Sequence, residues 1–258
     1  MPELDSWQWI IASIGAFLVG LGKGGVAGVG NITIVLFALI FPAKESVGIL
    51  LPILIGADIV ASIIYRKYAN WKIIGYLFPF TILGTFFSYW ILSQLEITNS
   101  DLELDTHIRK LIGLVLLCMT LLHWTIKYLK SKKLETKKKR NLDKKASFIG
   151  VFIGFASMTA NAAGPVASLY FMTLKLPKYI YIGTAASLFL LVNLSKVPFQ
   201  MKLGMIHLNS LKISLSLYIF AIVGALIAPK IVKKINQKWF DRLIWFFIFI
   251  AGIKMIQS

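Results

Sequence analysis

Two lysines, one aspartate and three asparagines interrupt stretches that are otherwise apolar. Lys23 lies in "GLGKGGVAGVGN" (20–31), which ends on Asn31, and Asp58 lies in "LIGADIVAS" (54–62). Asn161 falls in "SMTANAAGP" (157–165), and Asn193 and Lys196 fall in "VNLSKVPFQ" (192–200). An ammonium group at the centre of a bilayer costs about 2.5–3.5 kcal/mol on insertion scales, so each lysine should face a cavity or a partner. Glycine-rich breaks leave backbone N–H groups without helical acceptors, and the half-helix that follows adds a partial positive charge. Amide groups, a lysine and closely approachable glycines together suit an oxyanion. The expected substrate-binding set is therefore Lys23, Gly24, Gly25, Gly28 and Asn31 from the first break. Thr159, Asn161 and Gly164 join from the second, with Asn193 and Lys196 beside them. Pro165 suits the start of a new half-helix, where its missing N–H costs nothing.

Competing readings accompany these residues. Glycines also serve plain tight contacts between membrane helices. Lys196 either faces the site or snorkels to the nearby surface. Asp58 reads first as a counter-ion to Lys196 or Lys23, and otherwise as a carrier of a coupled proton. "GLGKGG" matches G-x-G-x-x-G, but a chain of membrane helices offers no strand before it, so a dinucleotide site is rejected. No H-E-x-x-H, Ser/His/Asp set or pair of intramembrane acids is present, so neither an enzyme, nor a metal site, nor a cofactor is expected. Asn31-Ile-Thr and Asn193-Leu-Ser match the glycosylation sequon, but their burial in the membrane rules them out as acceptors.

These residues must be held by membrane helices. The 258 residues are 57% hydrophobic and only 15% charged, and the mean hydropathy is +0.75, against about 25% charged in a soluble domain. Hydropathy and Gly/Pro breaks predict ten helical pieces, at 8–22, 27–41, 46–66, 72–94, 108–130, 147–159, 162–174, 179–199, 208–230 and 239–256. Pieces one, two, six and seven are short enough for half-helices or re-entrant segments. The net charge of +17 is concentrated in loops rather than in a nucleic-acid surface. The run 127–145 holds ten basic and two acidic residues and is expected in the cytoplasm. Basic loops 65–72 and 229–242 share that side, and acidic loop 95–107 and both termini lie outside. The expected location is a membrane, with a bacterial inner membrane as the setting and lipid as the immediate partner.

The chain also resembles itself. Gly20 matches Gly154 and Gly30 matches Gly164; after a one-residue slip, Pro42, Gly48 and Asp58 match Pro177, Gly183 and Asn193. Gly84 and Gly224 occupy similar places in the fourth helix of each half. The charge pattern starts the halves on opposite sides, so they are predicted to be inverted. The expected fold is all-α and polytopic: two inverted repeats, each a broken-helix hairpin followed by three transmembrane helices. The repeats span 1–126 and 146–258, joined by the linker 127–145. Such repeats with interrupted helices mark secondary transporters that bind substrate near the midplane.

The elements "GLGKGGVAGVGN", "FPAKESVG" and "ANAAGPVASLYFMTLKLPKYIYIGTAASLFLLVNLSKVPF" resemble the TauE/SafE sulfite-exporter family over about residues 10–256. Lys23 within the first glycine cluster and "SMTANAAGP" in place of a second glycine run depart from its commonest pattern. The resemblance implies a permease for a small sulfur-containing anion such as sulfite or an organosulfonate, with a passive anion channel of the same fold as the alternative. A coupled proton and a homo-oligomer are both compatible with it.

Overall fold

The computed structural model describes residues 4–26, 29–98, 101–131, 142–174, 176–232, 249 and 253. Among them every regular element is helical, in the order α1 (Ser6–Lys23), α2 (Val29–Ile40), α3 (Ala43–Tyr65), a 3₁₀ turn (Arg66–Tyr68), α4 (Trp71–Thr98), α5 (Asp101–Ser131), α6 (Leu142–Ala160), α7 (Ala163–Thr173), α8 (Lys178–Lys202) and α9 (Leu208–Val232). Among the described residues, four helices are long and apolar enough to cross a membrane: Ala43–Tyr68, Trp71–Ile97, Lys178–Lys202 and Leu208–Val232. Most of linker 127–145 and of the tenth predicted piece lies outside the described residues.

Two of the short pieces are longer than their apolar cores suggested. α1 has 18 residues and α6 has 19, which is about 27–29 Å of helix and close to the ~30 Å hydrocarbon thickness. Polar ends account for the difference. Asp5 and Gln8 form a capping box ahead of α1, and α6 begins within the charged "LDKKAS". α2 and α7 remain short, at 12 and 11 residues. Pro42 and Pro177 stand just before α3 and α8 with ψ of 146° at each, the extended conformation from which a helix can start afresh.

Packing links early elements to late ones. α1 lies on α9, α4 on α6, and α3 touches both α8 and α9. Glycines set the closeness of these crossings. A methyl group at Gly20 would overlap the Ala221 carbonyl of α9, and one at Gly224 would overlap the Phe17 carbonyl of α1. Likewise a methyl at Gly154 would strike the Thr81 carbonyl of α4, and one at Gly84 the Val151 carbonyl of α6. Backbones this near are typical of small-residue packing between membrane helices. The outer faces are as apolar as the core: Leu83, Phe86 and Trp90 of α4 and Leu215, Ile219 and Leu226 of α9 are exposed. Such a surface suits lipid, because in water patches of this size are rare.

Candidate functional site

The two breaks are built differently from bare tips. α1 closes with a Schellman arrangement: the Gly25 N–H donates to Gly22 O at 3.2 Å and the Val26 N–H to Leu21 O at 3.0 Å. Gly25 takes φ +113°, which only glycine adopts without strain. The Gly24 N–H donates to Gly20 O at 2.8 Å. These amides therefore satisfy α1's own last carbonyls and are not free donors. Gly24 O accepts from the Tyr65 hydroxyl at 3.1 Å, which pins this turn to the end of α3.

α6 is closed by the residue that follows it, Asn161, whose φ of 53° is left-handed; asparagine is among the few residues with side chains that visit this region. The Asn161 N–H donates to Ser157 O at 3.0 Å. The side chain of Asn161 works in two directions. Nδ2 donates to Val47 O of α3 at 2.9 Å, and Oδ1 accepts from Lys196 Nζ at 2.7 Å. Lysine only donates and a carbonyl only accepts, so this amide has one orientation. The second turn thus docks near the start of α3, opposite the end that holds Gly24.

Between the two turns runs a column of buried polar groups. Lys23 Nζ lies 2.9 Å from both carboxylate oxygens of Asp58 and 4.7 Å above the Phe189 ring. Asn193 Nδ2 donates to Asp58 Oδ2 at 2.6 Å. Asp58 is fully buried, and the Lys23 side chain keeps 17% exposure. One turn along α8 from Asn193, Lys196 is also fully buried. Its ammonium donates to Ser157 O at 2.9 Å and to Asn161, and among the described residues no carboxylate pairs with it.

The expected residues therefore divide. Lys23, Asp58 and Asn193 meet directly, and Asn161 meets Lys196. Thr159 turns to α4: it stands 2.8 Å from the Ser88 hydroxyl and donates to Phe155 O at 2.9 Å. Gly24 and Gly25 shape the α1 turn. Gly164 sits in the first turn of α7, a helix end whose early N–H groups lack intrahelical acceptors. Gly28 and the side chain of Asn31 lie outside the described residues. The Ser157 carbonyl was not foreseen. A helix carbonyl shared between a cap and a lysine has no signature in residue type.

An interior ion pair and a second buried lysine in a helical membrane bundle are the kind of intramembrane charge that lines solute and ion pathways in membrane transport proteins. The family model for sulfite exporter TauE/SafE matches residues 12–255, and the chain belongs to that family of membrane exporters. No curated protein and no solved structure matches it.

Proposed function

We propose that the protein is a secondary transporter that moves a small sulfur-containing anion, such as sulfite or an organosulfonate, through the polar column between the two turns. The observation that carries this reading is the Asp58–Asn193 contact. Positions matched by the internal repeat hold hands across the α3–α8 interface at 2.6 Å, with a lysine on either side. Along α3, Asp58 stands about 16 Å from Val47 and about 10 Å from Tyr65 at 1.5 Å per residue. That position along a helix long enough to cross the membrane supports a site in the membrane's interior.

The inverted arrangement rests on the same correspondence. Matched glycines make matched crossings: Gly20 of α1 with α9, and Gly154 of α6 with α4. The turn after α1 meets the end of α3, whereas the turn after α6 meets its beginning. A two-fold axis in the membrane plane produces that exchange of ends. Alternating access then follows from rocking one repeat against the other about the α3–α8 contact. Lys23, held by Asp58 yet partly exposed, and Lys196, held only by neutral oxygens, are the groups that attract the anion. Asp58 holds Lys23 in place when the site is free of substrate. The first turn of α7, with Gly164, adds dipolar donors at one end.

In proteoliposomes, Lys23→Ala and Asn161→Ala are expected to abolish radiolabelled sulfite uptake; Lys23→Ala strands the buried Asp58 carboxylate and unfolds at a lower temperature, so uptake is compared below the unfolding midpoint of each variant. Uptake at the wild-type rate by both would remove the column from the pathway.

A further inference from the structure

Gln200 lies four residues beyond Lys196 on α8, on the face that also carries Asn193. It is completely buried, and among the described residues neither its amide nitrogen nor its amide oxygen has a hydrogen-bond partner. An orphaned buried amide is costly to a fold and calls for an explanation. Its place in the fold supplies one. Side chains four apart on a helix are neighbours, so Gln200 adjoins Lys196. The Gln200 carbonyl accepts from the Met205 N–H at 2.9 Å, and the Met205 backbone presses on Gly48 of α3. Gly48 is the residue after Val47, to which Asn161 is bonded. Lys196, Asn161 and Gln200 therefore converge on one level of the bundle, at the α6–α7 turn.

Charge adds a constraint. Asp58 is taken up by Lys23 and Asn193, so among the described residues Lys196 has no carboxylate partner of its own. A desolvated ammonium bonded only to neutral oxygens needs a counter-charge to be stable. Lys196 Nζ makes two hydrogen bonds, and an ammonium has a third N–H to offer an anion. Gln200, one helical turn along the same face, brings two N–H donors and an acceptor, all without partners among the described residues. We infer that Lys196 and Gln200, braced by Asn161, form a binding position for one monovalent oxyanion, and that a dianion is disfavoured there. The inference rests on the proposed anion transport and names the charge class and a further binding residue for it.

The test uses the full chain in detergent, with methanesulfonate as monoanion and ethane-1,2-disulfonate as dianion, read by calorimetry and thermal unfolding. Wild type is expected to bind the monoanion more tightly. Gln200→Leu should weaken methanesulfonate binding by about tenfold or more. Its ligand-free unfolding midpoint should stay level or rise, because leucine removes polar atoms that had no partner. Lys196→Met should remove the preference for the monoanion. Unchanged affinity in Gln200→Leu, a lowered ligand-free midpoint in that variant, or tighter binding of the disulfonate by wild type would overturn the inference. If that happens while Lys23→Ala still abolishes sulfite uptake, the transport reading stands without it. Wild type that neither binds a sulfonate nor transports sulfite would overturn both.

Discussion

At Asp58, one carboxylate serves three purposes: it neutralises Lys23, accepts from Asn193 and joins α1, α3 and α8. Removing one partner of a buried pair strands the other charge, which costs about 3–5 kcal/mol, far more than a surface pair contributes. Asp58→Ala should therefore lower the thermal midpoint sharply. The double replacement Lys23→Met with Asp58→Leu should recover much of that stability while remaining inactive in transport. Thermal unfolding and sulfite uptake of the three proteins check this; a midpoint in Asp58→Ala equal to wild type would contradict it. Most of these partners are readable from residue type, because a lone acid and two lysines in apolar segments have few ways to be satisfied. Gln200 could have been found in the same way, as an amide four residues past Lys196 in an apolar context. The fate of the glycine amides could not. Whether a break offers its N–H groups to a ligand or closes the preceding helix depends on φ and ψ, and Gly25 at φ +113° chose closure.

Helices in this bundle are positioned by where their glycines lie, not by their apolar faces, which are apolar nearly all round. Gly20 and Gly154 admit a neighbouring carbonyl where any side chain would collide, whereas Gly30 and Gly75 have nothing within 4 Å of an added methyl. Gly20→Val and Gly154→Val should accordingly abolish the yield of monodisperse protein. Gly75→Ala, within α4, should be neutral or stabilise by about 0.5–1 kcal/mol, since alanine is the better helix former. Size-exclusion profiles and unfolding midpoints distinguish the two groups, and tolerance of both valines would disprove the close crossings. Hydropathy placed the element centres well. It shortened α1, α5 and α6 because their ends are polar: a capping box begins the first, the acidic DLELDTH, expected as part of loop 95–107, begins the second, and a charged turn begins the third. Apolar periodicity does not record such extensions.

For the molecule as a whole, the inverted arrangement requires the loops after α3 and α4 to face opposite sides. In a Cys118→Ser background, cysteine placed at Lys67 should react with an impermeant thiol reagent only after the cytoplasmic face is opened. Cysteine placed at Ile97 should react in intact cells. The same side for both would refute the orientation and with it the repeat symmetry. The residues on which the proposed correspondence of the halves rests, Pro42 with Pro177 and Asp58 with Asn193, are readable in the sequence, and the structure has each proline just before a long helix and the two polar residues in contact. Which helix of one half packs on which helix of the other was not visible, because backbone-to-backbone contacts through glycine leave no complementary residue to read.

The central claim is that the buried column is a carrier site for a sulfur oxyanion. Counterflow in proteoliposomes tests it most directly: vesicles loaded with unlabelled sulfite receive a trace of radiolabelled sulfite outside. The carrier account predicts transient accumulation of label above equilibrium, driven by the internal sulfite and absent in Lys23→Ala. Equilibration without overshoot, at a rate indifferent to internal sulfite, would contradict it and indicate a passive pore.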